Sequence, residues 1–196
     1  MQLKPIIFNI FMKPFEQKAL HERRSNLISK VNGNVLELGA GTGINFNYYR
    51  NEKISKLTIM DLEFNNIIKN HSFNKSMNIN YVEGNAENIP FPDNTFDSVV
   101  STLIYCSIDN PELALSEVFR VLKPGGRMYF IEHVLPKKGH YRKLLNRLNG
   151  VWKMIGKCNV NRETLKLIQK TNFKVVDFER FGKACFIFIK GIGIKE

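Results

Sequence analysis

The sequence has no long apolar run. Its most hydrophobic opening, Ile6-Ile7-Phe8, is broken at Asn9 and again at Lys13-Pro14. That falls far short of the ~20 residues that cross a bilayer and lacks the layout of a signal peptide, so a cytoplasmic location is expected. Cysteine is scarce too: Cys106, Cys158 and Cys185 are widely spaced and odd in number, with no Cys-x-x-Cys pair and no histidine at metal spacing. This pattern argues against a disulfide scaffold or a metal site and leaves three reduced, mostly buried thiols. Internal repeats and low-complexity tracts are missing. Acidic residues are in the minority, 18 Asp and Glu against 29 Lys and Arg, for a formal charge of +11.

What is present suits one soluble domain: 196 residues, 43% hydrophobic and 24% charged, enough for a full core. The basic excess is open to two readings. Phosphate-rich partners, nucleic acid or anionic membrane, attract such a chain through counterion release. A lysine-rich surface without a specific partner explains the total equally, and the abundance of Asn and Ile fits that general bias. The distribution is less neutral. No acid lies between Glu132 and Glu163, while eight basic residues do, from Lys137 and Lys138 to Lys157 and Arg162.

The most informative stretch is Val35-Leu36-Glu37-Leu38-Gly39-Ala40-Gly41-Thr42-Gly43. Glycines at alternate positions let a backbone turn sharply after a strand and lie close to a ligand, and a following helix would point its N-terminus at that ligand. A glycine turn also arises for packing alone. The dinucleotide fingerprint needs its third glycine where Ile44 stands, which argues against NAD. Asp61 ends the next β-prone run 18 residues after Gly43, close to the ~20-residue spacing at which a carboxylate accepts from ribose hydroxyls. A turn-forming Asp is the alternative; beside the glycines, the ribose role is preferred.

Along the chain the pattern alternates. A helix is expected over 15–31, a strand over 35–38, a helix over 44–50, a strand over 57–60 and a helix over 64–71. Strands follow at 79–82 and 96–105, separated by a structured loop at 84–92. Asn110 then caps a helix that begins at Pro111 and Glu112, and 127–134 is the fifth strand. Residues 141–155 form an amphipathic helix, with Tyr141, Leu144, Leu145, Leu148, Val151, Trp152 and Ile155 at helical spacing among basic residues and Gly150 as an interruption. A further helix is expected over 163–170. The last two strands, 173–180 and 185–194, are too close for a parallel crossover and must form an antiparallel hairpin. The charged 173–180 strand suits an edge, whereas Cys185-Phe186-Ile187-Phe188-Ile189 belongs inside the sheet.

A mostly parallel sheet closed by such a hairpin, with Glu37 to Gly43, Asp61, the 84–92 loop and Arg120-Val121-Leu122-Lys123-Pro124-Gly125-Gly126, resembles class I S-adenosylmethionine-dependent methyltransferases. The resemblance runs from about Leu27 to the C-terminus. Ser101 to Ser107, Glu132-His133-Val134, Trp152, Cys158-Asn159 and Arg162-Glu163 narrow it to the membrane-associated thiol methyltransferases of the methyltransferase-like family and their bacterial relatives. Phosphatidylethanolamine and quinone-precursor methyltransferases are similar more distantly. In the thiol branch an N-terminal hydrophobic segment anchors the protein, and here that segment is too short for firm anchoring.

The resemblance implies an α/β, Rossmann-like sheet of seven strands, six parallel and the last antiparallel, with helices on both faces. It divides one domain, 1–196, into an N-terminal helical segment over the site (1–30), a cofactor core (35–134), a basic helical substrate or lid region (135–172) and the hairpin (173–194). S-adenosylmethionine is the implied cofactor. Gly39, Ala40, Gly41 and Gly43 would pack on it, Glu37 would help hold its amino-acid end, and Asp61 would bind the ribose, with Leu62 and Thr102 also in contact. Asn85 stands where the family often has Asp and still offers an amide oxygen to the adenine amino group; Ala86 would offer its N–H.

Methyl transfer needs an in-line nucleophile, so alignment and desolvation are the main tasks. A base matters only when the acceptor arrives protonated. His133, at the carboxyl end of the fifth strand where ligands bind in such sheets, is the acid/base candidate, ahead of Glu132 and Tyr105; a purely structural histidine is the alternative. The acceptor is expected to be a small molecule, best a thiol or other apolar nucleophile, with a phospholipid or quinone precursor next. A nucleic-acid acceptor is disfavoured, because Thr102-Leu103-Ile104-Tyr105 stands where an Asn-Pro-Pro-aromatic or Pro-Cys signature would follow the fourth strand. A non-catalytic scaffold is disfavoured by the intact cofactor motifs. Residues 137–157 are either a lid that touches anionic membrane or a core-packing helix with a solvated basic side.

Overall fold

The computed structural model describes residues 20–64, 68, 77–156 and 158–196. Seven strands form one sheet in the order β3-β2-β1-β4-β5-β7-β6: β1 (Gly33–Leu38), β2 (Ile54–Asp61), β3 (Ile79–Glu83), β4 (Phe96–Thr102), β5 (Leu122–His133), β6 (Phe173–Lys183) and β7 (Phe186–Lys195). Pairings from β3 through β5 are parallel, and β7 runs antiparallel to both β5 and β6. The last strand is therefore inserted inside the sheet, as its apolar sequence requires, and charged β6 takes the edge. The order reverses between β1 and β4, which opens a crevice at their carboxyl ends.

Among the described residues, four α-helices flank the sheet: α1 (His21–Ile28), α2 (Pro111–Val121), α3 (His140–Gly156) and α4 (Thr164–Lys170). Alternation along each buried strand feeds two cores. Val35, Leu57, Ile59, Val100, Tyr129 and Ile131 pack with Leu27 and Ile28 of α1. Leu36, Leu38, Val99, Met128 and Phe130 pack on the other face with Leu115, Val118 and Ile168. The α2 start is as expected: Asn110 Oδ1 accepts from the Leu113 N–H at 3.1 Å, with Pro111 in the first turn. Charge docks α1 onto the edge strand, Arg23 to Glu179 at 2.6 Å and Lys30 to Asp177 at 2.7 Å. Asp177 itself sits at a bulge with φ +48°.

Three expectations are corrected. The helix over 44–50 is only a single 3₁₀ turn, Phe46–Tyr48, because the Asn45 side chain is drawn into the core and the neighbouring Asn and aromatic residues are weak helix formers. No α-helix therefore directly follows the glycine turn. β4 ends at Thr102 rather than at Tyr105, since Leu103 adopts φ +55° and the chain turns. Helix α3 forms over the expected stretch but does not bury its apolar stripe: Leu144, Leu148, Val151 and Trp152 are exposed, against the core-packing reading. The helix over 64–71, the segment 1–19 and part of the 1–30 division lie largely outside the described residues.

Candidate active site

The carboxyl ends of β1 and β2 build a cradle. Gly39, Gly41 and Gly43 all have positive φ, between +57° and +77°, so the turn is one that glycine alone adopts at little cost. Their surroundings differ sharply. A Cβ on Gly39 would fall 2.6 Å from Ile104 Cδ1 and one on Gly43 2.5 Å from the Phe46 ring, whereas one on Gly41 would meet no atom within 4 Å. Two glycines are packed against protein, and the open space lies over Gly41.

Asp61 rims that space. Its Oδ2 accepts from the Gly41 N–H at 3.3 Å and its Oδ1 from the Leu62 N–H at 2.8 Å. Burial pushes its carboxyl pKa up, against the pull of these backbone donors. Beside it Leu62 is 71% exposed, a flat-sided apolar neighbour for the carboxylate.

Beneath the turn lies a polar network that the sequence did not reveal. Glu37 is 1% exposed; its Oε1 accepts from Asn45 Nδ2 at 2.9 Å and its Oε2 from the Tyr49 hydroxyl at 2.7 Å. Buried Arg24 donates to Asn45 Oδ1 at 2.6 Å and to Thr102 Oγ1 at 3.0 Å, and Asn45 also donates to Thr102. Burial outweighs these donors and raises the Glu37 pKa to about 7. Glu37 and Thr102 thus form the floor of the cradle and are bound to protein groups. Arg24, Asn45 and Tyr49 carry no local motif; only the fold brings them together.

On the far side, Asn85 Oδ1 accepts from the Glu87 N–H at 2.9 Å, so the amide shapes its own loop, and Ala86 is buried beside it. Arg120 holds that loop from α2: it bonds Glu117 and Asp93 and donates to the carbonyls of Phe91 and Ile89, at 2.8 to 3.0 Å. The arginine of the Arg120 to Gly126 motif is therefore the clamp of the 84–93 loop.

The acceptor edge is formed by the ends of β4 and β5. Glu132 is fully buried; Oε1 accepts from the N–H groups of Ile104 and Tyr105, while Oε2 has no partner. Burial pushes its pKa up to about 8, so it is a neutral acid near neutral pH and braces the turn after β4. The His133 Nε2–H donates to the Cys185 carbonyl at 2.8 Å, the ring stacks edgewise on Phe188, and burial lowers its pKa. Nδ1 is left as the acceptor nitrogen of a neutral ring. Tyr105 is a poor base: it is fully buried, its hydroxyl lies 3.5 Å from Met128 Sδ and burial pushes its pKa far up. Among the described residues, no group of three or more His, Cys, Asp or Glu side chains is placed to hold a metal ion.

Comparison with known proteins agrees with this layout. The profile of the methyltransferase domain family matches residues 36–130. Thiol S-methyltransferase TMT1B of Rattus norvegicus is 39% identical over 74% of this chain and 62% of its own length; that of Mus musculus is 36% identical over 83% and 72%. The ubiquinone/menaquinone biosynthesis C-methyltransferase UbiE of Pasteurella multocida matches only 35% of this chain and 26% of its own, at 45% identity. Among solved structures, the Burkholderia thailandensis 1,6-didemethyltoxoflavin-N1-methyltransferase, determined with bound S-adenosylhomocysteine, superposes with a TM-score of 0.66 at 17% identity, over 92% of this chain and 80% of that one. With motif, topology and relatives in agreement, the chain belongs to the S-adenosylmethionine-dependent methyltransferases of the methyltransferase domain family.

Proposed function

We propose that this enzyme methylates the sulfur of a small apolar thiol, in the cytoplasm and in peripheral contact with anionic membrane. The carrying observation is the chemistry of the acceptor edge. Its titratable groups, Glu132 raised to about 8, His133 lowered and Tyr105 raised, are all neutral near pH 7, so the edge holds no ionised base. An acceptor that brings its own anion suits it, and a thiol is a few per cent thiolate near neutral pH. The names of the rat and mouse relatives support the same reading.

The cradle fits S-adenosylmethionine, since a ligand has room over Gly41 and meets a carboxylate and an exposed leucine there. When bound, the cofactor supplies a methyl group on a sulfonium, electrophilic without further activation. Gly41 and Ala40 give it backbone, Asp61 accepts from its hydroxyls, Leu62 covers an apolar face, and Asn85 and Ala86 flank the base. Gly39 and Gly43 keep the turn closed. Glu37 and Thr102 act on the amino-acid end through charge and through the Asn45 amide. His133 Nδ1 accepts the thiol proton where the acceptor is not yet ionised.

Labelled S-adenosylmethionine with a panel of alkyl thiols, phospholipids, quinone precursors and RNA tests the reading, with thioether formation expected. Label in the lipid or quinone fraction, and none in the thiols, would refute it. In the same assay His133→Ala is expected to cut turnover with cofactor affinity intact; unchanged turnover at saturating acceptor removes the histidine from the chemistry.

The membrane contact rests on α3. Its exposed Leu144, Leu148, Val151 and Trp152 lie among Lys137, Lys138, Arg142, Lys143, Arg147 and Lys153, the composition of a helix that lies in a lipid interface. No helix among the described residues is long and apolar enough to cross a membrane.

A further inference from the structure

Two cysteines far apart in the chain come together beside the acceptor edge. Cys106 lies buried in the turn after β4, and Cys158 lies half-buried just beyond α3. Cys106 and Cys158 each perturb the ionisation of the other, and the Cys106 sulfur also lies 3.8 Å from the Leu103 carbonyl. The approach is fixed by the backbone: the Asn159 N–H donates to the Cys106 carbonyl at 2.7 Å and its Nδ2 to the same oxygen at 3.2 Å. Asn149 of α3 steadies that segment by bonding Asn159 and the Val160 N–H. The Trp152 indole N–H, in turn, points at the Cys158 sulfur from 3.2 Å.

These contacts make the two sulfurs unequal. Hydrogen bonds from Cys106 and Trp152 hold the Cys158 pKa below the ordinary thiol range, despite partial burial. The same contact with Cys158, together with burial, pushes Cys106 up. A thiolate reachable by small oxidants therefore faces a sheltered thiol, the arrangement of an attacking and a resolving cysteine. Two sulfurs do not make a metal site, and the methyl-transfer chemistry uses neither.

We propose that Cys106 and Cys158 are a redox modification site, in which hydrogen peroxide drives closure of a disulfide that staples the turn after β4 to the segment after α3. In the first step the Cys158 thiolate attacks one peroxide oxygen and the O–O bond breaks, leaving a sulfenic acid and a hydroxide that takes a proton to become water. In the second, the Cys106 sulfur attacks Cys158, the S–O bond breaks, and the Cys106 proton leaves with the hydroxyl group as a second water. The two thiols are oxidised by two electrons and one peroxide is reduced. The staple ties down the acceptor edge, so oxidised enzyme loses acceptor turnover rather than cofactor affinity.

The test uses the full chain. After brief peroxide treatment, peptide mapping without reductant should give one cross-linked Cys106–Cys158 peptide that has lost two hydrogens and is restored by dithiothreitol, with Cys185 still open to alkylation. Cys106→Ala should instead leave Cys158 as a sulfenic acid trapped by dimedone. Should that variant misfold, the wild-type chain decides through the pH profile of iodoacetamide alkylation. At about pH 7 the thiolate fraction at Cys158, with its pKa lowered to about 6, should exceed that of a free cysteine by roughly thirtyfold, and the profile should level off below the ~8.5 of an ordinary thiol. No cross-link at peroxide doses that oxidise glutathione, a link through Cys185, or alkylation that tracks free cysteine would each overturn the proposal.

Discussion

Gly39, Gly41 and Gly43 read identically in the sequence yet face different things. Each takes positive φ, so an alanine at any of them costs about 1–2 kcal/mol of backbone strain. At Gly39 that strain is joined by overlap with Ile104, and at Gly43 by overlap with Phe46, each adding about 1–3 kcal/mol of overpacking. Gly41→Ala should therefore melt only slightly below wild type while weakening S-adenosylhomocysteine binding at least tenfold in calorimetric titration. Gly39→Ala should be the less stable protein in thermal melts. The opposite ranking, with Gly41→Ala binding normally, would mean that the ligand does not lie over this turn. Spacing marked the cradle but not which glycine meets the ligand, because that depends on Ile104, which arrives from the turn after β4, far along the chain. The floor of the site was hidden for the same reason: Glu37 stands in a motif, whereas Arg24 and Tyr49 gain meaning only when α1 and the Phe46–Tyr48 turn pack over it.

Elements were most legible where a local pattern had one physical outcome. Seven strands, the Asn110 cap and the inserted last strand followed from continuous apolar runs, turn residues and a connection too short to cross over. The element after the glycine turn was not, because Asn45 forms its bonds with Glu37 and Thr102 instead of supporting a helix. Helix α3 is the sharper case. Periodicity announced an amphipathic helix correctly but could not say whether its apolar face meets protein, and Val151 at 55% and Met154 at 77% exposure show that much of it does not. Such a face beside a run of cations should bind anionic lipid, at about 1 kcal/mol for each Lys or Arg near the surface. In vesicle co-sedimentation the chain should partition to phosphatidylserine-containing vesicles well over neutral ones, and Leu148→Glu with Val151→Glu should abolish this while sparing methyl transfer to a soluble thiol. Equal binding to both vesicle types, or none, would count against it.

Across the whole molecule, the carboxyl edge of the sheet concentrates acids that folding makes harder to ionise. Glu37 rises to about 7 and Glu132 to about 8, with Asp61 also raised. A folded chain that keeps these protons where an unfolded one has shed them is stabilised in full below the unfolded value of about 4.5, and loses that stability as pH climbs through the folded values. Each group contributes a slope of up to about 1.4 kcal/mol per pH unit within its window. His133, held neutral by burial, works the other way below about 6.5, and Cys158, held low, works the other way above its own depressed value. The carboxyls outnumber them. Outer ion pairs such as Asp97 with Lys123 and Glu117 with Arg120 lower their acids; their stabilisation is present above the ordinary carboxylate range and is lost as pH falls through the lowered values, with solvent screening their share. Cofactor-free enzyme should therefore be more stable to urea at about pH 5.5 than at about pH 8. Glu132→Gln, which keeps the acceptor for the Ile104 and Tyr105 N–H groups but cannot ionise, should flatten the alkaline part of that profile. A wild-type profile that rises from pH 5.5 to 8, or a variant with the same slope as wild type, would show that Glu132 is ionised in the folded enzyme. The acceptor edge would then hold an ionised carboxylate, a base that a thiol acceptor does not need.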